Sequence, residues 1–131
     1  MKKRRMQNEK IRSFRDLTTW KEAHRFALQI YRVTRSFPKE ELFGLTDQMK
    51  RAAVSLTSNI AEGFSRRSSK DKAHFYTISA GSLTELQSQY TLAKDLEFLS
   101  VRDYEDLESQ LLNVHRLLNA LISSTRDFPK F

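Results

Sequence analysis

Gln48-Met49-Lys50-Arg51-Ala52-Ala53-Val54-Ser55-Leu56-Thr57-Ser58-Asn59-Ile60-Ala61-Glu62-Gly63 is the stretch on which the fold turns. Advanced by 100° per residue, as in a helix, it separates into two stripes. Met49, Ala53, Leu56 and Ile60 fall together with Leu45 just upstream, as a core-facing set does. Arg51, Ser55, Asn59 and Glu62 form a second stripe, roughly 125° away by the same arithmetic. Ala52, Ala53 and Ala61 are small enough to let a neighbouring helix come close. A helix with one neighbour has no need of a second stripe so regular in size and spacing. The pattern predicts a helix flanked on two sides, with the second neighbour met through hydrogen bonds.

The flanking segments keep the helical period. Upstream, Leu17, Trp20, Ala23, Ala27, Ile30, Tyr31 and Thr34 predict a first helix. It is capped by Asp16 or by the box Thr19-Trp20-Lys21-Glu22, and it runs to about Ser36, where Phe37-Pro38 stops it. Arg25, Arg32 and Arg35 lie off its apolar stripe. Lys39 to Leu45 is the connection, with Gly44 as its bend and Thr46 as the cap of the second helix. Downstream, Ser68 caps a third helix that extends to about Glu97. Its apolar positions Phe75, Tyr76, Ile78, Leu83, Leu86, Tyr90, Ala93 and Leu96 cover an arc of roughly 160°, wider than one face requires. Gly81 sits within it at a cost of about 1 kcal/mol relative to alanine, which predicts close approach by a partner helix. Ser100 caps a fourth helix to about Thr125, whose Val101, Tyr104, Leu107, Leu111, Val114, Leu118 and Leu121 alternate in steps of three and four. Four helices with short connections predict an all-α, antiparallel up-down-up-down four-helix bundle over residues 16–125. A basic arm, residues 1–15, precedes it, and a tail, residues 126–131, follows it, unable to continue the helix past Pro129.

Three glycines and two prolines in 131 residues suit long helices with few turns. With no cysteine, disulfides, thiolate metal sites and cysteine nucleophiles are excluded. No apolar run approaches bilayer length, and the basic start lacks the apolar segment of a signal peptide, so a cytoplasmic protein is expected. The net charge of +7 is unevenly placed. Lys2, Lys3, Arg4, Arg5, Lys10, Arg12 and Arg15 against Glu9 give the arm +6, which leaves the remainder near neutral. Met6 is an alternative start that would remove Lys2 to Arg5. Residues 94–131 are net acidic, so a positive face is expected from the first three helices rather than the fourth.

Several constellations are candidates for chemistry. Ser82, Glu85 and Gln89 share one side of the third helix and could meet Arg51, Ser55, Asn59 and Glu62 in an interhelix or subunit polar layer. On this reading Arg51→Ala destabilises the protein or its oligomer. Taking Glu62 and Glu85 as an acid/base pair beside Ser55 or Ser82 would be the catalytic alternative, but no histidine neighbours either serine and no glycine-rich oxyanion loop is present. No enzyme is expected, and no cofactor. His24, His74 and His115 lie on separate helices without a second ligand at metal spacing, so no metal site is expected. Arg66, Arg67, Lys70 and Lys72 surround the start of the third helix, where backbone amides favour anions. With Lys2, Lys3, Arg4, Arg5, Arg12 and Arg15 they are the candidate phosphate contacts. Trp20, Phe26, Tyr31, Phe75, Tyr76 and Tyr90 keep helical spacing, as core or interface aromatics do.

Gln48 with Arg51-Ala52-Ala53-x-Ser55, followed by Asn59-Ile60-Ala61-Glu62-Gly63, resembles the most specific block of a family of small four-helix-bundle proteins. That family is encoded in intervening sequences of bacterial large-subunit ribosomal RNA genes, and many members carry ribosomal-protein labels. Leu17-x-x-Trp20, Tyr31, Phe37-Pro38, Glu41 with Gly44-Leu45, and Gly81-Ser82-Leu83-x-Glu85 extend the resemblance over about residues 14–122. It implies a homo-oligomer, with a pentamer expected. It also implies kinship with accessory proteins of diversity-generating retroelements, and so RNA, DNA or a reverse transcriptase as partner. Two functions follow: a nucleic-acid-associated accessory protein held by phosphate contacts, or a scaffold ring without nucleic acid. The chain is identified as a member of that family on these residues.

Overall fold

The computed structural model describes residues 11–126, so the phosphate contacts expected of Lys2, Lys3, Arg4 and Arg5, and the tail at residues 127–131, lie outside the described residues. Four helices follow one another: α1 (Thr18–Thr34), α2 (Leu45–Ser65), α3 (Ser69–Asp95) and α4 (Val101–Arg126). Short 3-10 turns, Phe14–Asp16 and Lys39–Glu41, precede α1 and α2. Each helix packs on its two neighbours in the order α1, α2, α3, α4 and back to α1. The result is an antiparallel four-helix bundle, with no strand among the described residues.

The apolar stripes make one core. Phe26, Ile30, Met49, Leu56, Ile60, Leu83, Leu86, Tyr90, Leu107, Val114 and Leu118 are all essentially removed from solvent. Phe26 of α1 and Tyr90 of α3 meet edge to face across the bundle, with ring centroids 6.4 Å apart. At one end Phe37 and Phe98, from the two loops there, meet with their rings tilted and centroids 5.8 Å apart, and close the core.

The helix ends obey local chemistry. Ser68 Oγ and Ser100 Oγ accept from the amides three residues on, Asp71 and Asp103, each at 3.0 Å. Asp16 caps the 3-10 turn rather than α1: its carboxylate accepts from the Arg12 and Ser13 amides at 3.0 and 3.2 Å. These bonds hold its pKa below the usual carboxylate value. Residues 13–16 are thus folded, and the arm expected to end at residue 15 gives way to this turn. At the end of α3, Phe98 N–H donates to Ala93 O and Glu97 N–H to Lys94 O, both at 2.9 Å, a Schellman closure. It places Glu97 at φ 64°, a left-handed conformation usually left to glycine.

Two expectations about packing are corrected. Tyr31, Ile78, Leu96 and Val101 keep helical spacing but are exposed, because the arcs they extend run past the core on helices with solvent on one side. Gly81 meets no neighbour either, since a Cβ built there finds nothing within 4 Å. The close approach falls at Gly63, where a Cβ would stand 2.6 Å from the Tyr76 ring. Gly63→Ala is therefore expected to lose about 1–3 kcal/mol by overpacking. Gly81→Ala should add about 1 kcal/mol to the single chain through helix propensity. Urea denaturation of both variants at low protein concentration tests this, and a destabilised Gly81→Ala single chain would contradict it.

Candidate nucleic-acid interface

The seven residues considered for a polar layer divide. Ser82 Oγ of α3 donates to Ser55 Oγ of α2 at 2.8 Å, and Asn59 Nδ2 donates to the Ser55 hydroxyl and carbonyl at 3.1 and 2.8 Å. Gln89 Nε2 donates to Glu85 at 3.2 Å, while its buried Oε1 has no partner among the described residues. Arg51 and Glu62 do not reach α3. Arg51 Nε donates to Asp47 at 2.9 Å, and Glu62 pairs with Arg66, both on exposed ground. The α2 stripe spans roughly 80° of arc, so its inner edge, Ser55 and Asn59, faces α3 while its outer edge faces solvent. Both serine hydroxyls are engaged with each other and Glu62 with an arginine. The groups of the catalytic alternative are therefore not assembled around either serine.

The polar links on the other seams carried no sequence signal beyond residue type. Glu22 on α1 accepts from Gln110 and Asn113 of α4 at 3.0 and 3.1 Å. Glu108 of α4 accepts from Gln87 Nε2 of α3 at 3.2 Å and takes the Tyr90 hydroxyl. Burial first, then the Glu108 carboxylate, push the Tyr90 phenol far above its ordinary value.

The candidate phosphate contacts fare unequally. Lys72 Nζ donates to the Phe64 carbonyl at 2.8 Å and so closes the end of α2. Arg66 is held by Glu62 and lies over the Phe75 ring, 4.7 Å from its centroid. Arg67 and Lys70 remain exposed in the same turn, without an ion pair among the described residues. Arg15 lies over Phe14 at 4.9 Å, and Arg12 beside it is exposed.

A more extended basic feature runs along α1. Lys21, Arg25, Arg32 and Arg35 follow one another at helical spacing on its solvent side, with Leu28 between them. They fall within roughly 80° of arc and span about 21 Å of helix. Arg25 makes a loose contact with Glu22 at 3.8 Å. Lys21, Arg32 and Arg35 have no ion pair among the described residues. This ridge has a period rather than a density of positive charge, so a search for basic runs passes over it.

Beside the ridge, between α1 and α2, lies an apolar groove of about 240 Å³ lined by Leu28, Tyr31, Ala53, Val54 and Thr57 among others. No side-chain hydrogen bond links α1 to α2 among the described residues, although Lys50 Nζ lies 5.2 Å from the Tyr31 ring centroid. The three histidines are exposed, and His24 stacks on Trp20 at 4.6 Å. Among the described residues no cluster of metal-ligating side chains occurs, and no helix is long and apolar enough to cross a membrane.

A bundle of four antiparallel helices defines the class of this protein. The family model of the 23S rRNA-intervening sequence proteins matches residues 15–120, and the chain belongs to that family. Its fold is similar to the crystal structure of a protein of unknown function from the S23 ribosomal protein family of Bacteroides thetaiotaomicron. That likeness has a TM-score of 0.72 at 20% identity and covers 80% of this chain and 98% of the other. No curated protein matches the chain.

Two predictions concern these links. Arg51→Ala removes only an exposed pair within α2, so the single chain is expected to lose no more than about 0.5 kcal/mol. Glu108→Ala strands the Tyr90 hydroxyl and is expected to cost about 1–3 kcal/mol, with Glu108→Gln milder. Because the Tyr90 pKa is raised above 10.0, the folded chain keeps a proton that the unfolded chain releases. Stability is therefore whole below pH 10 and falls as pH rises beyond it, with Tyr76, raised by burial, adding in the same direction. In denaturation measured at successive pH values, the total stability lost over that range should be smaller for Glu108→Gln.

Proposed function

We propose that this chain is a non-enzymatic, homo-oligomeric protein that associates with RNA or DNA through the phosphate backbone. The observation that carries the reading is the α1 ridge of Lys21, Arg25, Arg32 and Arg35, which presents four cations along one helix without a facing acid apart from Glu22. Arg67 and Lys70 add exposed charge, and the arm would add more. Contacts of this kind neutralise phosphates and read little sequence.

Self-association is supported by the groove at Leu28, Tyr31 and Val54, all of them exposed. Gly81 supports it too, as a mid-helix glycine for which the single chain gives no reason. A pentamer is the assembly that the family resemblance implies, and a ring would multiply weak contacts by avidity. The same groove favours the scaffold reading if nucleic acid is not bound.

The test is binding of RNA and duplex DNA across a salt series. The log–log slope is expected to shrink by about 0.7–0.9 for each phosphate contact removed. Alanine at Lys21, Arg25, Arg32 and Arg35 should lower it more than alanine at Lys2, Lys3, Arg4 and Arg5 if the ridge is the interface. No binding by the unaltered chain at low salt would leave the scaffold. Sedimentation reports the assembly, which Gly81→Leu should weaken if a second copy approaches there.

A further inference from the structure

Arg35, Lys39 and Lys50 come together around a pocket of about 180 Å³ at the end of the bundle where α1 turns into α2. They arrive from three different elements: the residue that ends α1, the 3-10 turn Lys39–Glu41, and the second turn of α2. Buried Thr34, Phe37 and Thr46 also line it. No carboxylate is among the lining residues. Two of the nearby acids are engaged elsewhere: Glu41 accepts from the Leu45 amide at 3.2 Å, and Asp47 holds Arg51 at 2.9 Å, while Glu40 of the same turn is exposed to solvent.

A charged helix face is usually a solvated face, with cations set side by side by the helical period. Three cations set around one concavity by separate elements are different: like charges repel, and none of the three has an ion pair among the described residues. Lys50 also borders the neighbouring concavity of Tyr31, Asp47 and Arg51, and its Nζ lies 5.2 Å from the Tyr31 ring centroid. An anion with several acceptor oxygens would relieve the repulsion and take charge-assisted bonds from all three.

We propose that this pocket binds a phosphomonoester, the terminal phosphate of a nucleic-acid strand. Part of that choice rests on the nucleic-acid reading above, and part on the pocket alone. Arg35 is the last cation of the α1 ridge, so a strand lying along the ridge would end here. A small concavity backed by buried side chains suits the end of a chain, whereas the middle of a chain follows an open groove. A monoester carries about −1.5 to −2 at neutral pH, against −1 for a diester, and so suits three cations better.

The experiment uses the full chain and three oligonucleotides of one sequence, ending in a 5′-phosphate, a 3′-phosphate or hydroxyls alone. Inorganic phosphate is titrated separately, with the backbone amides of residues 35–50 followed by NMR. One phosphorylated strand is expected to bind on the order of tenfold more tightly than the hydroxyl-ended strand. Lys39→Ala with Lys50→Ala should abolish that preference and leave hydroxyl-ended binding unchanged, whereas Lys50→Arg should keep it. The NMR spectrum of each variant verifies that it is folded. Phosphate shifts at 35–50 that vanish in the double variant, with no strand bound, would uphold the pocket and assign it to a small free phosphate while the nucleic-acid reading fails. Equal binding of all three strands with no phosphate shift would overturn the pocket and leave that reading standing.

Discussion

The close contact between α2 and α3 is the constraint on which the bundle depends. Gly63 leaves room for the Tyr76 ring, and the buried Ser79 hydroxyl donates to the Leu56 carbonyl at 2.8 Å. Ala52 and Ser82 are also buried small residues on these helices. Small side chains bring the two backbones together, and that proximity lets Ser82 reach Ser55 directly. Larger residues at these positions would push α3 outward and open the core behind Met49, Leu56 and Leu86.

The other seams are joined differently. Glu22 ties α1 to α4, and Glu108 ties α3 to α4 through Gln87 and the deeply placed Tyr90. Each carboxylate is half-buried and takes amide or phenol donors across its seam, with only the loose Arg25 contact at Glu22 as a cation, which avoids the desolvation penalty of a buried ion pair. Between α1 and α2 there is instead an apolar groove bordered by basic side chains. The ridge and the three-cation pocket both adjoin that seam.

Charge follows the same division. Residues 94–131 are net acidic, while α1 and the turn after it carry the ridge. The turn at 66–72 loses part of its positive charge to structure, since Lys72 closes α2 and Arg66 pairs with Glu62. A basic residue beside a helix C-terminus meets carbonyls that attract it, and the sequence cannot tell such a lysine from one left for a ligand.

Periodicity alone determined the four helices, their order and most of the core, because burial of an apolar stripe must repeat with the helical turn. The Ser68 and Ser100 caps were legible for the same local reason. Tertiary structure decided what local pattern leaves open. It set which glycine is crowded, because that depends on the ring opposite; hence Gly63 and not Gly81. It set which members of the α2 polar stripe reach a neighbour, because an arc of roughly 80° straddles the edge of a helix contact. It also brought Arg35, Lys39 and Lys50 together, since residues on separate elements converge only when the chain turns back on itself.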